Sequence, residues 1–430
     1  MLAKHFQPLL CWVFFVAFCG QAIRNTIDWA GYGIVVLSTV GLLSFYVFRY
    51  KKPINQPRLS PVIIYILITF AVSVVFSSYR LWGFLGLFIT VLTGYVAWIV
   101  SKYYRWAEIK LNLWVSLMVA LILSFILEIV VSIIGTPLLP LYLNGVEDPP
   151  GLFYWVQGVL FEGGPIQGIV GNRNLLGFIA LLCLLLSVFN RELETKWKVV
   201  GCAVSSLTVF LTASATITVA IVGCFIAAGV VLVMRAWRTK YERTKYLLLT
   251  FFTGAVLTSV ILLYRPIMGV LNREPDMTNR FDIWLNVWHL FIEKPIIGWG
   301  WIGHWVPFVE PFDTLAVLGR VTHLHAHNAY LDVLFQTGIL GLIGVIALLL
   351  FTGIRAWKIA VDRGTSKSMV PLVLLLALLI QAMTESRLLL EGNLLLLLLI
   401  VFYVQKETPV FTEIVGEFKT SLTGPIRTIE

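Results

Sequence analysis

Three histidines alternate in one short stretch of the sequence: His323, His325 and His327. A neutral imidazole is a good general base near neutral pH, and it is also a common ligand of zinc. No cysteine or second group of histidines accompanies the three to complete a zinc site, although Asp332 or a glutamate could contribute a ligand. From the residues alone, a general base, a zinc site and ordinary loop polarity all remain open.

Charged side chains in two other segments fit an anionic substrate. Arg280 falls in the first turn of a predicted helix, whose apolar residues follow 3.6-residue spacing. A cation there opposes the helix dipole, so Arg280 should have an anionic partner, either a nearby acid or the substrate. Glu385, Arg387 and Glu391 form a second cluster, which would line an outward-facing polar cavity unless Glu385 and Arg387 only pair with each other.

The elements that must position these residues are membrane-spanning helices. Hydrophobic residues make up 59% of the sequence and charged residues 13%, against about 25% charged residues in soluble proteins. Continuous apolar runs, without the two-residue alternation of barrel strands, predict an all-α integral membrane protein with about twelve transmembrane helices. The predicted segments are Leu9–Ile23, Trp29–Phe48, Pro61–Phe76, Leu81–Val100, Leu113–Ile134, Leu175–Phe189, Val199–Leu211, Ile217–Met234, Tyr246–Tyr264, Val333–Thr352, Met369–Met383 and Gly392–Val404.

The distribution of basic residues predicts how these helices are oriented. Most of the 32 lysines and arginines fall in alternate loops, which the positive-inside rule assigns to the cytoplasm together with both termini. The histidine and arginine segments then lie at the outer face of the cytoplasmic (inner) membrane. The net charge of +9 therefore reflects topology and contact with anionic membrane lipids, and no nucleic-acid partner is expected. All five cysteines fall in apolar segments, which predicts a packing role.

Two outer segments stand apart within a single polytopic membrane domain, residues 1–430. Residues 135–173 are too irregular for a span and too apolar for a free loop, so they are predicted to fold back onto the membrane face. Residues 265–332 form one large extracytoplasmic loop, which carries the histidines and a predicted interfacial helix after Asn279. Glu128 is the only ionisable residue well inside a predicted span, which disfavours an ion-coupled transporter.

Three sequence elements, in this order, resemble a known family. They are Gly171-Asn172-Arg173-Asn174 before an apolar segment, Arg280-Phe281-Asp282-Ile283-Trp284 followed by Gly298-Trp299-Gly300, and His325-Ala326-His327-Asn328 followed by Gly338 and Gly341. Together they resemble the O-antigen ligase and polymerase (Wzy-type) superfamily of bacterial envelope glycosyltransferases. The resemblance covers about residues 160 to 400.

The resemblance implies a GT-C-like fold that polymerises an undecaprenyl-diphosphate-linked glycan donor or ligates it to a glycan or lipid acceptor. It implies transfer with inversion at the anomeric carbon, without a metal or another cofactor. By position, His327 resembles the general base that activates the acceptor hydroxyl, and Arg280 resembles a ligand of the donor diphosphate. The other candidates are Arg173, Arg320 and Arg387 for the diphosphate, and Asn172, His325, Asn328 and Glu385 in supporting roles.

One element departs from the family pattern. Where many members have an arginine after a serine, this sequence has Ala215 after Ser214. Either another outer arginine supplies the charge (Arg173, Arg265, Arg320 or Arg387), or the donor is bound differently. Two alternatives stand beside the glycosyltransferase, namely a flippase or exporter of lipid-linked oligosaccharides and a non-catalytic subunit of a polysaccharide assembly machine. The missing arginine favours the second of them.

Overall fold

A computed structural model describes residues 5–143, 154–236, 278–306, 309–312, 317–318, 321–322, 325–363 and 366–408. Within these ranges the chain is built from α-helices, with one short antiparallel ribbon of β1 (Val317–Leu318) and β2 (Val321–Thr322). The helices are α1 (Pro8–Phe18), α2 (Gly20–Tyr50), α3 (Pro61–Val75), α4 (Arg80–Tyr103), α5 (Trp106–Ile134), α6 (Arg173–Phe189), α7 (Thr195–Thr212), α8 (Ala215–Ala236), α9 (Thr278–Glu293), α10 (Ala329–Asp362), α11 (Val370–Ala382) and α12 (Glu391–Glu407).

Several of these helices are long and apolar enough to cross a membrane, namely α2, α4, α5, α8 and α10. Helices α1, α3, α6 and α11 are apolar but shorter. The protein is therefore an α-helical, multi-pass membrane protein, as predicted. A helix occupies every predicted segment except Tyr246–Tyr264, which lies outside the described residues. The number of crossings, about twelve by the length of the apolar runs, stays a prediction.

Left-handed backbone interrupts two of the long helices. Asp28 breaks α2 with φ 68°, and Gly338 breaks α10 with φ 63°. A Cβ at Gly338 would lie 2.2 Å from the carbonyl oxygen of Ile296, so only glycine fits this approach. Beside the break, the Trp299 N–H donates to the Phe335 carbonyl at 3.1 Å. The chain after α9 is thereby fixed against the first turns of α10, which follow directly on the histidines.

Helix α9 is the helix predicted after Asn279. Ile283 and Val287 are buried against a small aromatic cluster that includes Trp305 and Phe335. The opposite side exposes an apolar stripe: Phe281, Leu285, Trp288 and Ile292. The stripe fits a helix lying at the membrane interface, which remains a prediction.

A buried acid anchors the segment that precedes α6. Glu128 in α5 is 1% exposed, and one of its oxygens accepts from the backbone N–H groups of Gln167 (2.6 Å) and Gly168 (2.7 Å). Ser124, one turn earlier, accepts from the N–H of Ile169 at 3.2 Å. The Glu128 carboxylate therefore satisfies two buried donors of a non-helical segment. This gives the ionisable residue inside the span a structural role.

Candidate active site

The histidine loop is held by the start of α10. The Asn328 side chain caps this helix, because its Oδ1 accepts from the N–H groups of Tyr330 (3.0 Å) and Leu331 (3.2 Å). The Asn328 N–H donates in turn to the Ser386 hydroxyl at 3.1 Å. His327, just before the cap, has a left-handed φ of 52°. These bonds fix where the loop turns and bring it beside the connection between α11 and α12.

A carboxylate in the first turn of α10 holds the histidine loop in place through hydrogen bonds. The Asp332 carboxylate is 3% exposed and accepts from Trp305 Nε1 at 2.8 Å and from the Ala326 N–H at 3.1 Å. The Ala326 carbonyl accepts from Trp284 Nε1 of α9 at 2.9 Å. Ala326 therefore ties α9 and α10 together between the two histidines, and Asp332 orients the loop.

His325 and His327, the two histidines of the alternating motif within the described residues, are in direct contact. The ring centroids of His325 and His327 are 4.1 Å apart, and the His327 N–H donates to His325 Nδ1 at 3.1 Å. Since Nδ1 accepts, a neutral His325 carries its proton on Nε2. Burial lowers the pKa of His325 well below its usual value, and the positive charges of Arg387 and Arg280 lower it further. His325 is therefore neutral near pH 7.

A hydrogen-bonded chain brings Glu385 to the histidines. The Glu385 side chain is buried, and its Oε1 accepts from Asn174 Nδ2 at 2.9 Å. The Ser214 hydroxyl donates to Asn174 Oδ1, also at 2.9 Å. Ligand-type atoms of Glu385, His325 and His327 lie within 4.8 Å of one another. The starts of α6 and α8, the α11–α12 connection and the histidine loop therefore meet at one place.

Two arginines impose a positive potential on this place. Burial raises the pKa of Glu385 above its usual value, while Arg387, the hydrogen bond from Asn174 and Arg280 act in the opposite direction. Burial, Arg387 and Arg24 also lower the pKa of His304, to about 4, against the attraction of Glu391. His304 and His325 are thus kept neutral, and an anion brought among these groups would be stabilised.

A buried ion network continues from Arg387. Arg24 is 3% exposed and forms an ion pair with Glu391, the first residue of α12. The other Glu391 oxygen lies 3.8 Å from Arg387 Nη1, so the described ion pair of Arg387 is with Glu391. The Arg24 guanidinium also lies 4.8 Å from the Trp29 ring centroid and 4.7 Å from that of Tyr32. The N-terminal helices thereby contribute a cation to the same face.

Most of the residues predicted from the sequence are brought together. His325, His327, Asn328, Glu385 and Arg387 lie in contiguous segments, and Arg280 acts electrostatically on His325 and Glu385. Asn172 caps α6 by accepting from the N–H groups of Asn174 (2.9 Å) and Leu175 (3.0 Å), and Arg173 is the half-buried first residue of that helix. Arg320 and Arg265 lie outside the described residues.

Sequence reasoning missed four further residues: Arg24, Asn174, Ser214 and His304. Arg24 carried a usable signal, since a cation at the end of an apolar segment needs a partner in a membrane protein. Asn174 and Ser214 belonged to quoted elements, but nothing local indicated that they bond to each other. His304 lies four residues after the Gly298-Trp299-Gly300 element, and no local pattern connected it with the other histidines.

Two imidazoles and a carboxylate within 4.8 Å match the ligand types of a catalytic zinc site. The charges around them argue for an anion instead, because Arg280 and Arg387 both act on His325 and Glu385. In addition, His325 Nδ1 already accepts a backbone hydrogen bond, so the neutral ring carries its proton on Nε2 and has no free nitrogen lone pair for an ion. The arrangement fits proton transfer beside a bound anion better than metal binding.

Fold and site together define a multi-pass helical membrane protein with a polar, cation-rich centre at the ends of its helices. Residues 200–346, from α7 to the first half of α10, match the family model described as O-Antigen ligase. This match confirms the predicted resemblance to the O-antigen ligase and polymerase superfamily, and it supports an envelope polysaccharide function of ligase or polymerase type. No curated protein matches the chain.

Proposed function

We propose that the protein is an inverting, metal-independent glycosyltransferase of GT-C-like architecture in the cytoplasmic membrane. It would polymerise or ligate an undecaprenyl-diphosphate-linked glycan at the outer face, with both termini in the cytoplasm. The observation that carries this proposal is the convergence of His327 and Glu385 with Arg280 and Arg387 in one polar site. Such a site suits a reaction in which one reactant loses a proton while negative charge develops on the other.

In the proposed reaction, the His327 imidazole takes the proton of the acceptor hydroxyl. The hydroxyl oxygen attacks the anomeric carbon, the bond from that carbon to the diphosphate oxygen breaks, and the electron pair leaves with the diphosphate. Attack opposite to the leaving group inverts the anomeric centre. Glu385 has a carboxylate oxygen within 4.8 Å of one ring nitrogen of His327, and it would stabilise the imidazolium that forms.

The arginines would stabilise the departing undecaprenyl diphosphate. Arg280 and Arg387 are the leading candidates because both act on the same buried groups, and Arg24 is held beside Arg387 through Glu391. Arg173 and Arg320 remain candidates from the sequence. A fixed guanidinium can bind two phosphate oxygens at once, which makes it well suited to a diphosphate.

Two alternatives make different demands on these residues. A flippase or exporter of lipid-linked oligosaccharides needs cations for its anionic substrate but no base for a hydroxyl. A non-catalytic subunit needs neither, and Ala215 at the position of the family arginine favours it. The proximity of half-buried His327 to buried Glu385 favours the enzyme, because proton transfer gives both groups a role.

The test is complementation of a strain that lacks the gene, with His327→Ala and the matched control His289→Ala. His289 is an exposed histidine of α9, so its loss should leave the polymer unchanged. We expect His327→Ala to abolish long or ligated polysaccharide at normal membrane abundance, with lipid-linked units accumulating at the outer face. Accumulation at the inner face would support an exporter. Unchanged polysaccharide would show that His327 is not the base.

A further inference from the structure

A large groove lies at the end of the protein opposite to the candidate active site. Its volume is about 1460 Å³, and it is bounded by residues 54–62, the start of α5, the second half of α10 and the end of α12. Helix α12 begins at Glu391 in the site and ends at Glu407 in the groove. Seventeen residues at 1.5 Å per residue separate the two by roughly 25 Å, close to the thickness of a bilayer core.

The rim of the groove is basic. The cationic residues among those that line it are Arg58, Arg105, Arg355, Lys358 and Lys406. Lys406 donates to Asn55 at 2.6 Å. Among the described lining residues, Glu407 is the one acid, and its carboxylate forms an ion pair with Arg363. The described surroundings of the groove therefore leave a net positive charge uncompensated.

The walls of the groove are apolar. Leu59, Phe351 and Ile354 each expose more than half of their surface, and Phe402 and Leu399 continue the wall along α12. An apolar wall beneath a cationic rim complements an amphiphile with an anionic head and hydrocarbon chains. A free phosphate would leave the wall uncovered, and a neutral lipid would leave the cations unpaired.

We propose that this groove binds an anionic phospholipid of the surrounding bilayer. The phosphate would lie among Arg58, Arg355 and Lys358, and the acyl chains would lie against Phe351 and Ile354. The basic rim belongs to the loops that the positive-inside rule assigns to the cytoplasmic face, whose lipids carry negative charge. The proposal uses no residue of the candidate active site, so it stands whether or not the protein is a glycosyltransferase.

The full chain, purified in detergent, would be titrated with phosphatidylglycerol and with phosphatidylcholine of the same acyl chains, and bound lipid counted by native mass spectrometry. The test variant is Arg58→Gln/Arg355→Gln/Lys358→Gln. The matched control, Arg49→Gln/Lys52→Gln/Lys196→Gln, removes the same charge from exposed residues that do not line the groove.

We expect the test variant to bind phosphatidylglycerol at least about tenfold more weakly than the wild type, and the control to differ by less than about twofold. Phosphatidylcholine should bind the wild type weakly and be insensitive to either set. Equal phosphatidylglycerol binding by both variants would overturn the proposal. So would competition by glycerol 3-phosphate as effective as by the lipid, since this would mean that the acyl chains contribute nothing. If the triple variant is not monodisperse, Lys358→Gln is compared with Lys52→Gln in the same titration.

Discussion

The ion pair of buried Arg24 with Glu391 should contribute measurably to the stability of the protein. Arg24 is 3% exposed, so Glu391→Gln would leave a buried guanidinium without its countercharge. Removing one partner of a buried pair typically costs about 3–5 kcal/mol. Arg24→Gln should lower the free energy of unfolding by less, because Glu391 is 19% exposed and still has Arg387 as a countercharge at 3.8 Å. The double variant, in which two neutral amides face each other, should be no less stable than Glu391→Gln alone.

The measurement is a double-mutant cycle on thermal unfolding of the detergent-solubilised protein, followed by tryptophan fluorescence. We expect a coupling of about 2 kcal/mol or more between the two positions. The matched control is the surface pair Lys196 and Glu194, which are 3.4 Å apart and have side chains 71% and 41% exposed. Its coupling energy should be about 0–1 kcal/mol, as is usual for exposed ion pairs. Additive losses at Arg24 and Glu391 would refute the idea that they act as one buried unit.

Three further changes test other parts of the structure. Glu128→Ala should lower membrane abundance, because it leaves the N–H groups of Gln167 and Gly168 without an acceptor, at a cost in stability of about 1–3 kcal/mol each. Glu128→Gln keeps an acceptor oxygen and should lower abundance less. The pKa of His304 is about 4 in the folded protein and near 6.5 in the unfolded chain. The unfolded chain therefore takes up a proton first as the pH falls, so the stability of the fold is full above about pH 6.5 and is lost as the pH falls toward 4. His304→Gln should flatten that part of the stability curve in thermal unfolding, and His289→Gln should not. Finally, Ala215→Arg should partly restore polysaccharide in an Arg280→Gln background, and Ala215→Gln should fail to do so.

The helices could be predicted because the length of an apolar run decides whether it crosses a bilayer. Pro61–Val75 and Arg80–Tyr103 begin and end within a few residues of the predicted segments. The breaks within α2 and α10 were harder to predict from the sequence. At Gly338 the cause is the approach of Ile296 from another segment, and no local pattern records that contact.

The candidate site was predictable where its residues share a motif. His325, His327 and Asn328 are neighbours in the sequence, and a helix cap fixes them locally. Arg24 could not be placed in this way, because its partner Glu391 is 367 residues away. Such a pairing depends on how the N-terminal helices pack against α12, which hydrophobic patterning does not specify.

The absence of the family arginine at position 215 has a physical interpretation in this fold. Ser214 bonds to Asn174 and Asn174 to Glu385, so an arginine at position 215 would lie near the buried acid. The described structure supplies cations from other helices instead. Arg387 and Arg24 share Glu391, and Arg280 and Arg387 act on Glu385, so three arginines stand against two carboxylates and leave a net positive charge. Under the proposed function, the excess is available to the diphosphate, and the departure at Ala215 is compatible with an active enzyme.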